Sequence, residues 1–126
     1  MQILGTGIDL VENARIAASI AKFGDRFLHR IFTEGKIAYC AAMPNPVPHY
    51  AARFAAKEAV SKAFGTGIGK ALGWKDIEVI RAESGAPSIV LHGGGAELAE
   101  RRGVSQVFTS LTHTDAHAAA SATIAG

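Results

Sequence analysis

The sequence predicts an α+β fold laid out as one domain over residues 1–126, with one long central helix and shorter helices against an antiparallel sheet. Three observations carry that prediction. Residues Gln2 to Val11 alternate with the period of a strand, His49 to Phe64 form an unbroken alanine-rich helical run, and the C-terminal half reads as two strands, a helix and a closing hairpin. Grouped strands and helices of this kind favour α+β over the regular alternation of a doubly wound sheet. A chain of 126 residues with 48% hydrophobic composition suits a single core.

The first strand places Leu4, Thr6, Ile8 and Leu10 on one side and Ile3, Gly5, Gly7, Asp9 and Val11 on the other. Two glycines beside Asp9 leave room for a ligand or another backbone to approach. Glu12 to Phe23 read as a helix stopped by Gly24, Asp25 to Ile31 as a second helix, and Thr33 to Met43 as a third with Thr33 as its N-cap. The run Pro44-Asn45-Pro46-Val47-Pro48 reads as an ordered loop, since proline lacks an amide hydrogen and crowds the preceding turn. Gly65, Gly67 and Gly69 end the long helix, with Gly65 or Gly67 suited to a left-handed cap. Trp74 to Arg81, Ser88 to His92, Gln106 to His113 and Ala116 to Ala125 follow as strands, with a helix from Gly95 to Arg102.

Several classes are excluded. The apolar stretches fall short of the roughly 20 residues a spanning helix needs, so a membrane protein is not expected. The start lacks the pattern of a secretory signal, which makes the cytoplasm the expected address. A single cysteine, Cys40, forms no internal disulfide and anchors no zinc site. A formal charge of +2 and sparse aromatics argue against nucleic-acid binding. Arg15, Lys22, Arg26, His29 and Arg30 nevertheless gather into a local basic patch, which fits either a solvated helix face or a dock for an acidic partner.

The chemistry concentrates on the long helix. Its residues are apolar or small nearly all round, so neighbours should cover most of it and each charge needs a reason. Glu58 and Lys62 stand four apart, as a plain stabilising pair would. In a covered helix, however, a carboxylate must be paired or bound to metal. Asp9 offers a second carboxylate, and two such groups with substrate phosphates and water are what magnesium accepts. His113 and His117 straddle a hairpin turn without cysteine partners, which disfavours zinc. Gly65-Thr66-Gly67-Ile68-Gly69-Lys70 is one residue short of a phosphate loop and lies at a helix C-terminus, where amides do not converge on an anion. Gly5-Thr6-Gly7 carries Leu10 where a dinucleotide fingerprint has its third glycine.

Taken in order, Gly5-Thr6-Gly7-Ile8-Asp9-Leu10-Val11-Glu12, Arg15-Ile16, Arg53-Phe54-Ala55-Ala56-Lys57-Glu58-Ala59, Ser61-Lys62-Ala63-Phe64-Gly65-Thr66-Gly67 and Ser110-Leu111-Thr112-His113-Thr114 resemble the holo-acyl-carrier-protein synthases, the single-copy type of 4′-phosphopantetheinyl transferase. The resemblance spans nearly the whole chain. It implies that fold, and transfer of 4′-phosphopantetheine from coenzyme A to a serine of apo-acyl carrier protein with magnesium. By the same resemblance Asp9 and Glu58 hold the metal and Lys62 meets the coenzyme A phosphates, so that Asp9, Glu58 and Lys62 form the catalytic set. Arg53 and His113 meet the nucleotide's 3′-phosphate, and Gly65 joins Lys62 among the coenzyme-binding positions. Arg15, Lys22 and Arg26 form the face for the acidic carrier; the base that takes the serine proton stays open, since metal weakens Glu58 as a base and a metal-bound water or hydroxide can serve. A homotrimer with active sites between subunits is also implied, with the small-residue strand Ala116 to Ala125 suited to close packing there. Ala86 departs from the family, which commonly carries lysine at that position.

Two other readings compete. A catalytically silent coenzyme A or nucleotide-binding module would use Lys62 and Arg53 but has no use for two converging carboxylates. An oligomeric scaffold in which Glu58 and Lys62 merely pair leaves Asp9, Arg53 and His113 without an account.

Overall fold

Helix α4 (Pro46–Phe64) lies across a three-stranded antiparallel sheet in the computed structural model, which describes residues 1–126. The sheet order is β1 (Ile3–Glu12), β5 (His117–Ala125), β4 (Gln106–His113), so β5 is central and β1 and β4 are the edges. Between β1 and α4 come α1 (Asn13–Phe23), α2 (Asp25–Ile31) and α3 (Glu34–Ala41). After α4, β2 (Ile77–Arg81) and β3 (Pro87–Leu91) form a separate hairpin, followed by α5 (Gly93–Arg101). The α+β layout and the element order match the sequence expectation.

Alanine makes this packing possible. Ala51, Ala52, Ala55, Ala56, Ala59 and Ala63 of α4 are all buried, as are Ala118, Ala120 and Ala122 on the facing side of β5. Small side chains on both elements let their backbones approach closely. The limit is reached at β1, where a Cβ on Gly7 would be driven into the Ala59 carbonyl and one on Gly5 into that of Ala63. The close neighbour of both glycines is therefore the α4 backbone, not a ligand. A core of 24 residues, from Val11 to Ile124, forms around this contact.

Three local expectations change. Pro46 and Pro48 lie inside the first turn of α4, where amide hydrogens have no intrahelical acceptor and proline costs nothing, so the helix starts earlier than His49. Trp74–Asp76 form a 3₁₀ turn, closed by the Gly73 amide donating to Asp76 Oδ2 at 2.8 Å, and β2 begins only at Ile77. The alternate alanines of β5 are used by α4, which leaves Ala119, Ser121 and Thr123 as the small residues on the sheet's outer face. No helix is long and apolar enough to cross a membrane.

Candidate functional site

Alternation along β1 brings Asp9 onto the same face as Gly5 and Gly7, against α4. There Lys62 Nζ donates to Asp9 Oδ1 at 2.9 Å and to the Ile8 carbonyl at 3.0 Å. Lys62 keeps half its side chain in solvent, whereas Asp9 is 16% exposed. Glu58 lies one turn before Lys62 on α4, but the ion pair its spacing offers is not the one formed, because the ammonium is taken by Asp9. Burial, and then the Asp9 charge, hold the Glu58 carboxyl above its ordinary range against the pull of Lys62. Asp9 is thus near enough for its charge to act on Glu58.

That donor set tests what ion it fits. Two carboxylates converge and no third acidic, histidine or cysteine ligand joins them. Zinc prefers nitrogen and sulfur and a fuller protein shell. Magnesium accepts one or two carboxylates and completes its shell with water and substrate phosphates, so Asp9 and Glu58 fit it. Gly65 caps α4 in the expected left-handed conformation, φ 77°, with its amide donating to the Lys62 carbonyl.

Arg53 and His113 meet elsewhere. They line a cleft of about 270 Å³ together with His49, Arg81, Gly85 and Pro87. The rings of His49 and His113 are 5.6 Å apart. Arg53 Nη1 donates to the His49 carbonyl at 3.2 Å, and its guanidinium lies 5.1 Å from the Tyr39 ring, while Nε is buried without a partner. His117 takes no part in this cluster; it sits across the turn, opposite Glu12 of β1.

The two clusters occupy opposite sides of α4. At about 100° per residue, Arg53 points roughly 140° away from Glu58 and roughly 180° away from Lys62. Asp9 is in register with Ala120 of β5, and Ala120 with Leu111 of β4, so two strand spacings, roughly 10 Å, separate the edges bearing Asp9 and His113. The resemblance implies active sites between subunits; within one chain the five residues form two clusters.

The basic patch is confined to α1 and α2. Arg15 and Lys22 share one exposed face of α1, and Arg26 borders a hollow of about 300 Å³ with Ser19, Phe23, Phe27 and Arg30. Phe23 is 48% exposed and carries the Lys22 ammonium 5.2 Å above its ring. The face is thus aromatic as well as basic, which counting charges does not reveal.

Sequence reasoning also missed His49, Arg81 and Lys57. The signal for His49 was available, since it lies four residues before Arg53 on one helix. Lys57 is 4% exposed and donates to the carbonyls of Trp74 at 2.7 Å and Ile77 at 2.6 Å, with Phe32 against its ammonium. It ties the β2–β3 hairpin to α4, and burial lowers its pKa to about 8.

Comparison with known proteins gives a consistent result. Residues 5–122 match the family described as the 4′-phosphopantetheinyl transferase superfamily. The chain is 51% identical over 119 residues to the holo-[acyl-carrier-protein] synthase of Koribacter versatilis, covering 94% of this chain and 95% of that one. A solved structure of the Neisseria meningitidis holo-[acyl-carrier-protein] synthase superposes with a TM-score of 0.93 at 32% identity, over 99% of this chain and all of that one. The Helicobacter pylori enzyme in complex with coenzyme A superposes with a TM-score of 0.83 at 32% identity, over 95% and 99% of the two chains.

Proposed function

The chain belongs to the 4′-phosphopantetheinyl transferase superfamily, and on that premise we infer how its residues 1–126, acting as a single domain, carry out the family's reaction. That reaction transfers 4′-phosphopantetheine from coenzyme A to a serine of apo-acyl carrier protein, giving holo-acyl carrier protein and adenosine 3′,5′-bisphosphate. The observation that carries the residue assignment is the convergence of Asp9, Glu58 and Lys62 at one edge of the sheet.

In this reading Asp9 and Glu58 hold magnesium. Held there, such an ion would supply positive charge against the phosphates of coenzyme A during phosphoryl transfer. Lys62, which reaches Asp9 from a half-exposed position, would turn its donors to the same phosphates and steady the charge that builds on the leaving nucleotide. Half-exposed, its side chain is free to make that move. Gly65, the left-handed cap three residues after Lys62, completes the coenzyme-binding positions in this reading.

Arg53 and His113 hold the 3′-phosphate, but from a second copy of the chain. One coenzyme reaching both clusters must span two chains, because α4 stands between them within one. A contact that joins the β1 edge of one copy to the β4 edge of the next is heterologous, and where its rotation closes at three copies it gives a homotrimer with active sites between subunits. The outer sheet face supports this, since Ile8 is 71% exposed, Leu10 67% and Phe108 50%, with Ala119, Ser121 and Thr123 lying flat between them. Arg15, Lys22 and Arg26 receive the acidic carrier beside the exposed Phe23. The cytoplasm, the address expected from the sequence, remains part of the proposal.

Incubation with magnesium, coenzyme A and a panel of apo-acyl carrier proteins, read by mass spectrometry of the carrier, tests the reading. Addition of phosphopantetheine to the carrier serine is expected, and no addition to any carrier contradicts it.

A further inference from the structure

The cleft at the β4 edge holds more positive and protonatable groups than the sequence reading assigned to it. Arg53, Arg81, His49 and His113 line it, and no carboxylate does. The chain's only imidazole hydrogen bonds belong to His29 and His92, so the facing rings of His49 and His113 are free to bind. Arg53 Nε adds a buried donor without an acceptor. Two guanidiniums beside two protonatable rings leave the positive charge of this small space unbalanced until an anion enters. A phosphate monoester, close to doubly charged near neutral pH and rich in acceptor oxygens, is the ligand class that satisfies them.

We propose that His49 and Arg81 are direct ligands of the 3′-phosphate alongside Arg53 and His113, and that His49 engages it as an imidazolium, so that nucleotide binding takes up a proton. The proposal rests on the reading of this cleft as the 3′-phosphate subsite. Its electrostatic sign follows from what faces His49: Arg53 on its own helix, Arg81 from β2 and His113 from β4, with Gly85 and Pro87 adding no charge. Burial first, then Arg53, His113 and Arg81, hold His49 below its ordinary value of 6.5, so it is neutral in the free protein at pH 7. A bound dianion reverses that balance and raises it. Affinity should therefore strengthen as pH falls from neutral toward the free-state value, until protonation of the phosphate itself, near pH 6, works against it.

Calorimetric titration of the full chain tests this at pH 7, in two buffers of different ionisation enthalpy, with adenosine 3′,5′-bisphosphate and adenosine 5′-monophosphate as probes. The unsubstituted protein should favour the bisphosphate and take up a fraction of a proton with it. His49→Gln should weaken bisphosphate binding about tenfold, leave the monophosphate unchanged and lose at least half of the proton uptake. Arg81→Gln, on an exposed strand position, should weaken the bisphosphate selectively as well. Unchanged bisphosphate affinity and proton uptake in His49→Gln, or equal losses for both nucleotides, would overturn the proposal. If the unsubstituted chain transfers phosphopantetheine while His49→Gln behaves in either of those ways, this inference alone falls. If it neither binds the bisphosphate nor transfers, the reading of the site falls with it.

Discussion

Lys62 donates to Asp9 across 2.9 Å, although Glu58 is the acid that helical spacing offers it. In the function proposed above, the pairing makes Lys62 a competitor of any cation for Asp9. Lys62→Met should therefore divide two properties that usually fall together. Magnesium or manganese affinity in the absence of coenzyme A should rise several-fold, as read by calorimetry, while turnover falls at least about 100-fold. A parallel loss of both would mean that Lys62 builds the metal site and does not compete for it.

Glu58→Gln should lower turnover at least about 100-fold, equivalent to roughly 2.7 kcal/mol of transition-state stabilisation, with the fold intact. Its stability effect has a sign that can be worked out. Because the folded-state value of Glu58 is raised above the ordinary 4.5, the folded chain binds more protons than the unfolded chain in that window, and Glu58 loses stability for the fold as pH rises through it. The glutamine variant does not titrate, so its melting temperature relative to the unsubstituted protein should rise between pH 4 and pH 7. A relative fall would place Glu58 in a stabilising ion pair.

Gly7→Ala should cost at least about 3 kcal/mol and lower the melting temperature by roughly 10 °C, because the new methyl meets the Ala59 carbonyl and β1 must leave α4. Thr6→Ala, one residue away on the outer face, should change it little. Equal effects at the two positions would contradict the packing described.

How much of this was legible in advance follows from what each signal depends on. Alternation along β1 and the alanine-rich run of α4 are local, so both elements and the inward face of Asp9 could be read directly. The start of α4 was hidden by Pro46 and Pro48, whose helix-breaking character lapses in a first turn. The gap beside Gly5 and Gly7 was visible, but only the fold reveals that a helix backbone fills it. Separation of Arg53 from Glu58 was present in the helical period, five residues apart, yet it decides nothing until the sheet shows which edge lies on each side. The partner of Lys62 and the clamp made by Lys57 depend on contacts distant in sequence, and no local pattern announces them.

Lys57 gives a pH signature of its own. A drop from the ordinary 10.5 to about 8 means that the unfolded chain binds more protons between those values, so stability should rise with pH across that interval. The gain from this group is about 3 kcal/mol. Denaturant unfolding at pH 7.5 and 10.5 should show the rise in the unsubstituted protein and its loss in Lys57→Met, which also leaves the Trp74 and Ile77 carbonyls without their donor. An identical pH dependence in both proteins would rule out Lys57 as its source.

The most direct measurement concerns the division of the site between copies of the chain. Glu58→Gln disables the β1 edge, and Arg53→Ala combined with His113→Ala disables the β4 edge; each variant alone should show little transfer at limiting coenzyme A. Co-expressed in equal amounts and assembled at random, they should recover about one quarter of the unsubstituted activity, because that share of interfaces joins an intact β1 edge to an intact β4 edge. Activity no greater than the average of the two separate variants would contradict a site shared between chains.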